Sequence, residues 1–94
     1  FGPLSIDPEK FEVRVHTKEV KLTAIEFKLL LYLLQTKGWV ATRDVLLDRV
    51  WGYYVAITTR TVDTTVKRLR EKIGIAGEYI ETVRGIGYRF RERP

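Results

Sequence analysis

The chain has 94 residues, 45% of them hydrophobic and 31% charged, with no cysteine and a net charge of +5. That is enough chain for one globular domain with a modest core, and it excludes a disulfide scaffold, a thiolate metal site and an intrinsically disordered segment. No signal peptide is present and no apolar run approaches membrane-spanning length, the longest being Leu29 to Leu34.

The first 22 residues alternate. Leu4 to Asp7, Phe11 to His16 and Glu19 to Leu22 each put apolar side chains on one face, with breaks at Pro8 and at Thr17-Lys18. Period-two runs this short predict a small antiparallel sheet, one face buried and one wet. At Thr23 the period changes. Thr23-Ala24-Ile25-Glu26 has the form of a capping box, in which the hydroxyl and the carboxylate each satisfy an orphan backbone N–H. Ile25, Leu29, Tyr32 and Leu33 then recur at helical spacing, and Phe27, Leu30, Leu31 and Leu34 widen the stripe. The spacing predicts a helix over 23–37, buried on most sides, with Gly38 just past its end.

Val40-Ala41 reads as a brief extended link. Thr42 is a second cap, with Asp44 near the positive end of a helix predicted over 42–51 and closed by Gly52. The loop over 52–58 is apolar for a loop, carrying Tyr53, Tyr54, Val55 and Ile57.

A third helix is predicted over 59–73, ended by Gly74 and Gly77. At 100° per residue, Val66, Leu69 and Ile73 fall within about 40° of Val62 and form a core seam. The opposite face carries Arg60, Thr64, Lys67 and Glu71, with Thr61 and Arg68 on one flank. Two strands follow, over 79–83 and 88–91, joined through Arg84-Gly85-Ile86-Gly87, where two glycines permit positive φ. Tyr88 and Phe90 should point one way, Arg89 and Arg91 the other. The order is that of one α+β domain of winged helix-turn-helix form: an N-terminal antiparallel sheet (1–22), a three-helix core (23–73) and a C-terminal β-hairpin wing (78–92).

Charge is unevenly placed. Residues 1–58 hold eight Lys and Arg against seven Asp and Glu, a net of +1. Residues 59–94 hold nine against five, a net of +4. A basic helix sized for a DNA groove, followed by a basic hairpin, is the footprint expected for a polyanion. The bland alternative is that these cations only solvate a surface.

The stretches LTAIEFKLLLYLL (22–34), TRDVLLDRVWG (42–52), TRTVDTTVKRLREKI (59–73) and ETVRGIGYRF (81–90) resemble, in order and spacing, the C-terminal effector domain of OmpR/PhoB-type response regulators. The resemblance implies sequence-specific binding of double-stranded promoter DNA, with the third helix in the major groove and the wing at the minor groove. It also implies head-to-tail self-association on direct repeats, contact with RNA polymerase and a cytoplasmic setting, in a bacterial two-component phosphorelay. The aspartate-phosphorylated receiver domain that normally precedes this module is absent from the sequence, and the lack of any methionine fits a piece of a larger protein.

For individual residues, the resemblance places Thr61, Thr64, Lys67 and Arg68 at the major groove. Arg68 is the first choice for a base contact, because its guanidinium fork suits guanine O6 and N7. Arg60 matches a phosphate contact, and Arg43, Trp51, Thr65, Thr82 and Tyr88 are further phosphate candidates. Threonine at position 65 is shorter than the histidine common there. Tyr88 is more often core in such a hairpin, although its hydroxyl can reach a phosphate, and Trp51 suits a core equally well. Arg84 at the wing tip fits minor-groove insertion, where narrow A·T tracts concentrate negative potential. Asp63 is expected to pair locally with Lys67 or Arg70, since an acid facing DNA would repel phosphate. The 52–58 loop corresponds to a polymerase-facing loop. The family's usual acid before the helix-three arginine is replaced by Thr58 and Thr59, leaving Tyr53, Tyr54 and Ile57 as an apolar docking surface.

Catalysis has no visible support. The lone histidine, His16, lies among the N-terminal strands, the lone serine, Ser5, has no base beside it in sequence, and no metal-ligand spacing appears. No enzyme activity, cofactor or metal is therefore expected. Two rivals stay open: a winged helix that binds an acidic protein, and a DNA-binding domain of a membrane-anchored activator without a receiver.

Overall fold

The computed structural model describes residues 1–52 and 58–93. The expected docking residues Tyr53, Tyr54 and Ile57 lie outside the described residues. Strands β1 (Leu4–Asp7), β2 (Glu12–Val15) and β3 (Lys18–Val20) form an antiparallel sheet in that order, with Leu4 opposite Val15 and Val13 opposite Val20. The alternation works as expected: Leu4 and Val13 are buried, and Ser5 and Arg14 face water. The tight turns use left-handed backbone at Phe11 and His16. His16 is exposed.

Helix α1 (Ala24–Gln35) starts on the capping box read from sequence. The Glu26 N–H donates to Thr23 Oγ1 at 3.3 Å, and the Thr23 N–H donates to Glu26 Oε1 at 2.9 Å. The same Glu26 oxygen accepts Lys72 Nζ at 2.6 Å. Burial pushes the Glu26 carboxyl up, but the hydrogen bonds from Lys72 and Thr23 outweigh it and hold the group below its ordinary range.

The extended link proves to be a strand. β4 (Ala41–Thr42) pairs antiparallel with a wing strand far along the chain, Ala41 opposite Tyr88 and Thr42 opposite Gly87. Two residues show no periodicity, so nothing local could have revealed this. Helix α2 (Arg43–Leu46) is capped by Thr42 Oγ1, which accepts the Val45 N–H at 3.1 Å. It widens into a π-helical turn, Leu47–Trp51, closed by the Gly52 N–H on the Leu47 carbonyl.

Helix α3 (Thr59–Ile73) has the predicted bounds and the predicted seam: Val62, Val66, Leu69 and Ile73 are at most 1% exposed. They pack with Leu29, Leu30, Leu33, Leu46 and Phe90 in one core. A 3₁₀ stretch (Gly74–Tyr79) leads to β5 (Ile80–Val83) and β6 (Gly87–Phe90), completing a second sheet in the order β4-β6-β5. Val83 pairs with Gly87, so Arg84-Gly85-Ile86 form the turn. Gly85 has φ +75°, as a turn glycine should. Gly87 does not use positive φ. A Cβ there would sit 2.0 Å from the Ala41 carbonyl oxygen, so this glycine is required by the close approach of β4.

Candidate nucleic-acid interface

The buried seam of α3 fixes what its other side presents. Arg60, Thr64, Lys67 and Arg68 are exposed, and Thr61 is half-buried. Arg60, Thr61, Thr64 and Arg68, together with Thr58 and Thr65, line one shallow depression of about 260 Å³. Two guanidinium groups and a row of hydroxyls therefore converge on the stretch of the helix from Arg60 to Arg68. Lys67 stands outside that depression. A 15-residue helix is about 22 Å long, enough to follow a major groove over its reading face.

Not every hydroxyl on the helix is available. Thr65 is buried, and its Oγ1 donates to the Thr61 carbonyl at 2.8 Å. Thr64 donates likewise to the Arg60 carbonyl at 3.2 Å but stays exposed. Back-bonding of this kind ties a side chain to its own helix, so Thr65 is poorly placed to donate to a phosphate.

The wing turn carries Arg84 and Ile86 into solvent, Ile86 at 52% exposure. A second depression, of about 420 Å³, is lined by Thr42, Arg43 and Asp44 at the start of α2, Thr59 at the start of α3, and Gly85 and Ile86 of the wing. Arg43 thus stands between the two helix starts and the wing, with its Nε donating to Asp63 Oδ1 at 2.7 Å.

Asp63 does not pair locally, contrary to expectation. Its Oδ1 takes Arg43 from α2 and, at 2.5 Å, the hydroxyl of Tyr88 from β6. The reason is geometric: β6 brings Tyr88 beside the first turns of α3, and that contact exists only once the second sheet has formed. Burial would raise the Asp63 carboxyl, but the bonds from Tyr88 and Arg43 outweigh it and hold the group below its ordinary range. Tyr88 is buried at 5% exposure, and burial followed by the Asp63 carboxylate pushes its hydroxyl up. Its proton is committed inside the fold, which leaves the phosphate role expected of Tyr88 without a donor. Trp51 is half-buried against the core.

Arg70 belongs to this neighbourhood and the sequence did not single it out for it. Its Nη2 donates to the Ile80 carbonyl at 2.6 Å and to Thr82 Oγ1 at 2.8 Å, and its Nε reaches Ile80 as well. Thr82 is exposed, with its hydroxyl oxygen accepting from Arg70. No local signal could have found this, because the partner carbonyl lies on a strand ten residues away. On the outer face of the wing, Arg89 and Arg91 both pair with Glu81, at 2.9 and 2.8 Å. These two arginines are partly neutralised and lie away from the α3 face in register, opposite in alternation to Tyr88 and Phe90.

An exposed basic helix face, a helix pair packed behind it and a hairpin closed onto a third strand define a winged helix-turn-helix domain. Residues 17–90 match the family described as transcriptional regulatory protein, C terminal, and the chain belongs to that family, the effector domains of OmpR/PhoB-type response regulators. It is 50% identical over 88 residues to the transcriptional regulatory protein VxrB of Vibrio cholerae, covering 94% of this chain and 35% of that protein. The response regulator DrrB of Thermotoga maritima, an OmpR/PhoB homologue, superposes with a TM-score of 0.87 at 37% identity, over 97% of this chain and 42% of that one. The DNA-binding domain of RstA from Klebsiella pneumoniae, solved in complex with the RstA box, superposes with a TM-score of 0.84 at 36% identity, over 97% and 93%. The chain spans about a third of the length of the curated relatives it matches.

Proposed function

We propose that this domain binds double-stranded DNA with sequence preference and acts in transcription regulation as the output module of a bacterial two-component response regulator. The observation that carries the reading is the depression on α3, where Arg60 and Arg68 converge with exposed threonines over a fully buried seam. Arg68, with Thr61, Thr64 and Lys67, reads bases in the major groove, and Arg60 and Arg43 hold phosphates. Arg84 enters the minor groove from the wing. Thr82 keeps a hydroxyl proton for a phosphate, whereas Thr65 and Tyr88 serve the packing behind the surface. Among the described residues these side chains form a binding surface and no catalytic constellation, which supports reading the domain as a binder rather than an enzyme.

Its partners are promoter DNA, direct repeats in particular, on which copies associate head to tail. RNA polymerase is a second partner, met by the 52–58 loop. The setting is the cytoplasm. Among the described residues no helix is long and apolar enough to cross a membrane.

The test is selection of bound duplexes from a random pool, followed by binding to the selected site over a range of salt. Log K should fall against log salt with a slope of about −0.9 for each phosphate neutralised. Enrichment of no sequence over the starting pool would overturn the reading. It would favour the rival in which the basic face meets an acidic protein.

A further inference from the structure

Three elements meet at Asp63. Its Oδ1 is shared by two donors from distant parts of the chain, Arg43 Nε of α2 at 2.7 Å and the Tyr88 hydroxyl of β6 at 2.5 Å. The guanidinium of Arg43 also stands 5.4 Å from the Tyr88 ring centre. Further along α3, Arg70 bonds the Ile80 carbonyl and Thr82 Oγ1 of β5, with its guanidinium 5.6 Å from the same ring. Each wing strand is therefore fastened to the recognition helix by a side chain. Charge-assisted bonds of this kind are about twice as strong as neutral ones, and here they join parts that share little backbone.

An acid on a helix meant for DNA is a cost, since it repels phosphate. That cost is explained if the acid fixes something binding needs. The geometry points to Asp63 as a positioning residue: it locks the wing and α2 to the recognition helix, so that helix and wing meet DNA as one preformed body. The inference rests on the DNA-binding reading above. Its physical basis is effective concentration. When one contact surface is rigidly placed relative to the other, the second contact forms without the ordering cost of a loose segment. A wing freed from α3 would still carry Arg84, but Arg84 would contribute less.

The experiment measures how much Arg84→Ala weakens binding of the 94-residue chain to its selected duplex, in the parent and in Asp63→Leu and Tyr88→Phe backgrounds. In the parent, Arg84→Ala should cost roughly tenfold in Kd. With Asp63→Leu, which removes the shared acceptor, the same change should cost less than about twofold, because Asp63 and Arg84 are energetically coupled. Asp63→Asn retains an oxygen acceptor and should restore part of the tenfold effect. Tyr88→Phe keeps the buried ring and removes only the hydroxyl, so it tests the clamp even where Asp63→Leu fails to fold. There too the Arg84→Ala cost should shrink. A merely structural Asp63 would lower thermal stability and leave the Arg84→Ala cost at its parent value in every folded background. That result would overturn the inference while the parent's salt-dependent binding still stood. Failure of the parent to select any duplex would instead overturn the DNA-binding reading.

Discussion

At the scale of the residue, two arginines on the same side of α3 have different expected work. Arg60 sits in the first turn of α3 and Arg68 at its middle, and both line the same depression. Arg68→Ala should cost about 1–3 kcal/mol at the selected site and relax preference at one base pair. Arg60→Ala should weaken selected and random DNA alike. Equal losses on both DNAs for Arg68→Ala would reassign it to phosphate. The two wing glycines differ just as sharply. Gly87→Ala puts a methyl group 2.0 Å from the Ala41 carbonyl oxygen and should cost about 1–3 kcal/mol by urea unfolding, since backbone must move. Gly85→Ala meets nothing within 4 Å but must hold φ +75°, and should cost about 1 kcal/mol. An equal or smaller loss at Gly87 would sink the close-approach account.

At the scale of the element, the wing is a three-residue turn on a three-stranded sheet, with Arg84 free to project beside Gly85. Minor-groove readout is degenerate in sequence but sensitive to width. Arg84→Ala should therefore lose most affinity on duplexes with A·T-rich flanks and less on G·C-rich ones, as read by anisotropy titration of paired sites. The same loss on both would leave the wing a generic phosphate contact. The element scale is also where sequence reading was strongest and weakest. The α3 bounds and seam were legible because Val62, Val66, Leu69 and Ile73 obey a 3.6-residue period along most of a fifteen-residue helix. β4 was not, because two residues carry no period and its partner strand is chosen by the folded sheet.

At the scale of the whole molecule, three carboxylates among those that tie separate elements together share one electrostatic property: Glu26 joins α1 to Lys72 of α3, Asp63 joins α3 to α2 and β6, and Glu81 joins the two wing strands. Hydrogen bonds and nearby cations hold all three below their ordinary values. A carboxyl with a depressed folded-state value stabilises the fold above its ordinary value of 4.5 for Glu26, or 3.8 for Asp63, and loses that contribution as pH falls through the folded value. Glu26, the most buried of the three, should show it best. Between about pH 6 and about pH 3, Glu26→Gln should lose less Tm than the parent, because glutamine keeps the cap acceptor but has no proton to gain. An identical drop in both proteins would show that the Glu26–Lys72 pair does not report acid sensitivity.

What the sequence determined by itself is whatever is encoded over neighbouring residues. That covers the short alternating strands, the Thr23–Glu26 capping box, the amphipathic faces of the helices and the excess of cations after residue 58. These follow from periods of two and 3.6 and from local hydrogen-bond chemistry, which a single chain displays in order. What only the tertiary structure decided is which of those side chains remain available. Tyr88 and Thr65 both read as candidates for a phosphate, Tyr88 from a core position, yet packing buries both and gives their hydroxyls internal partners. Asp63 and Arg70 have suitable partners a turn or two away along α3, yet they bond groups on the wing. The physical reason is that a hydrogen bond depends on distance in space. β6 is drawn to α3 by burial of Phe90 with the helical seam and is fastened there by the Tyr88–Asp63 bond, and no spacing along the chain records either contact.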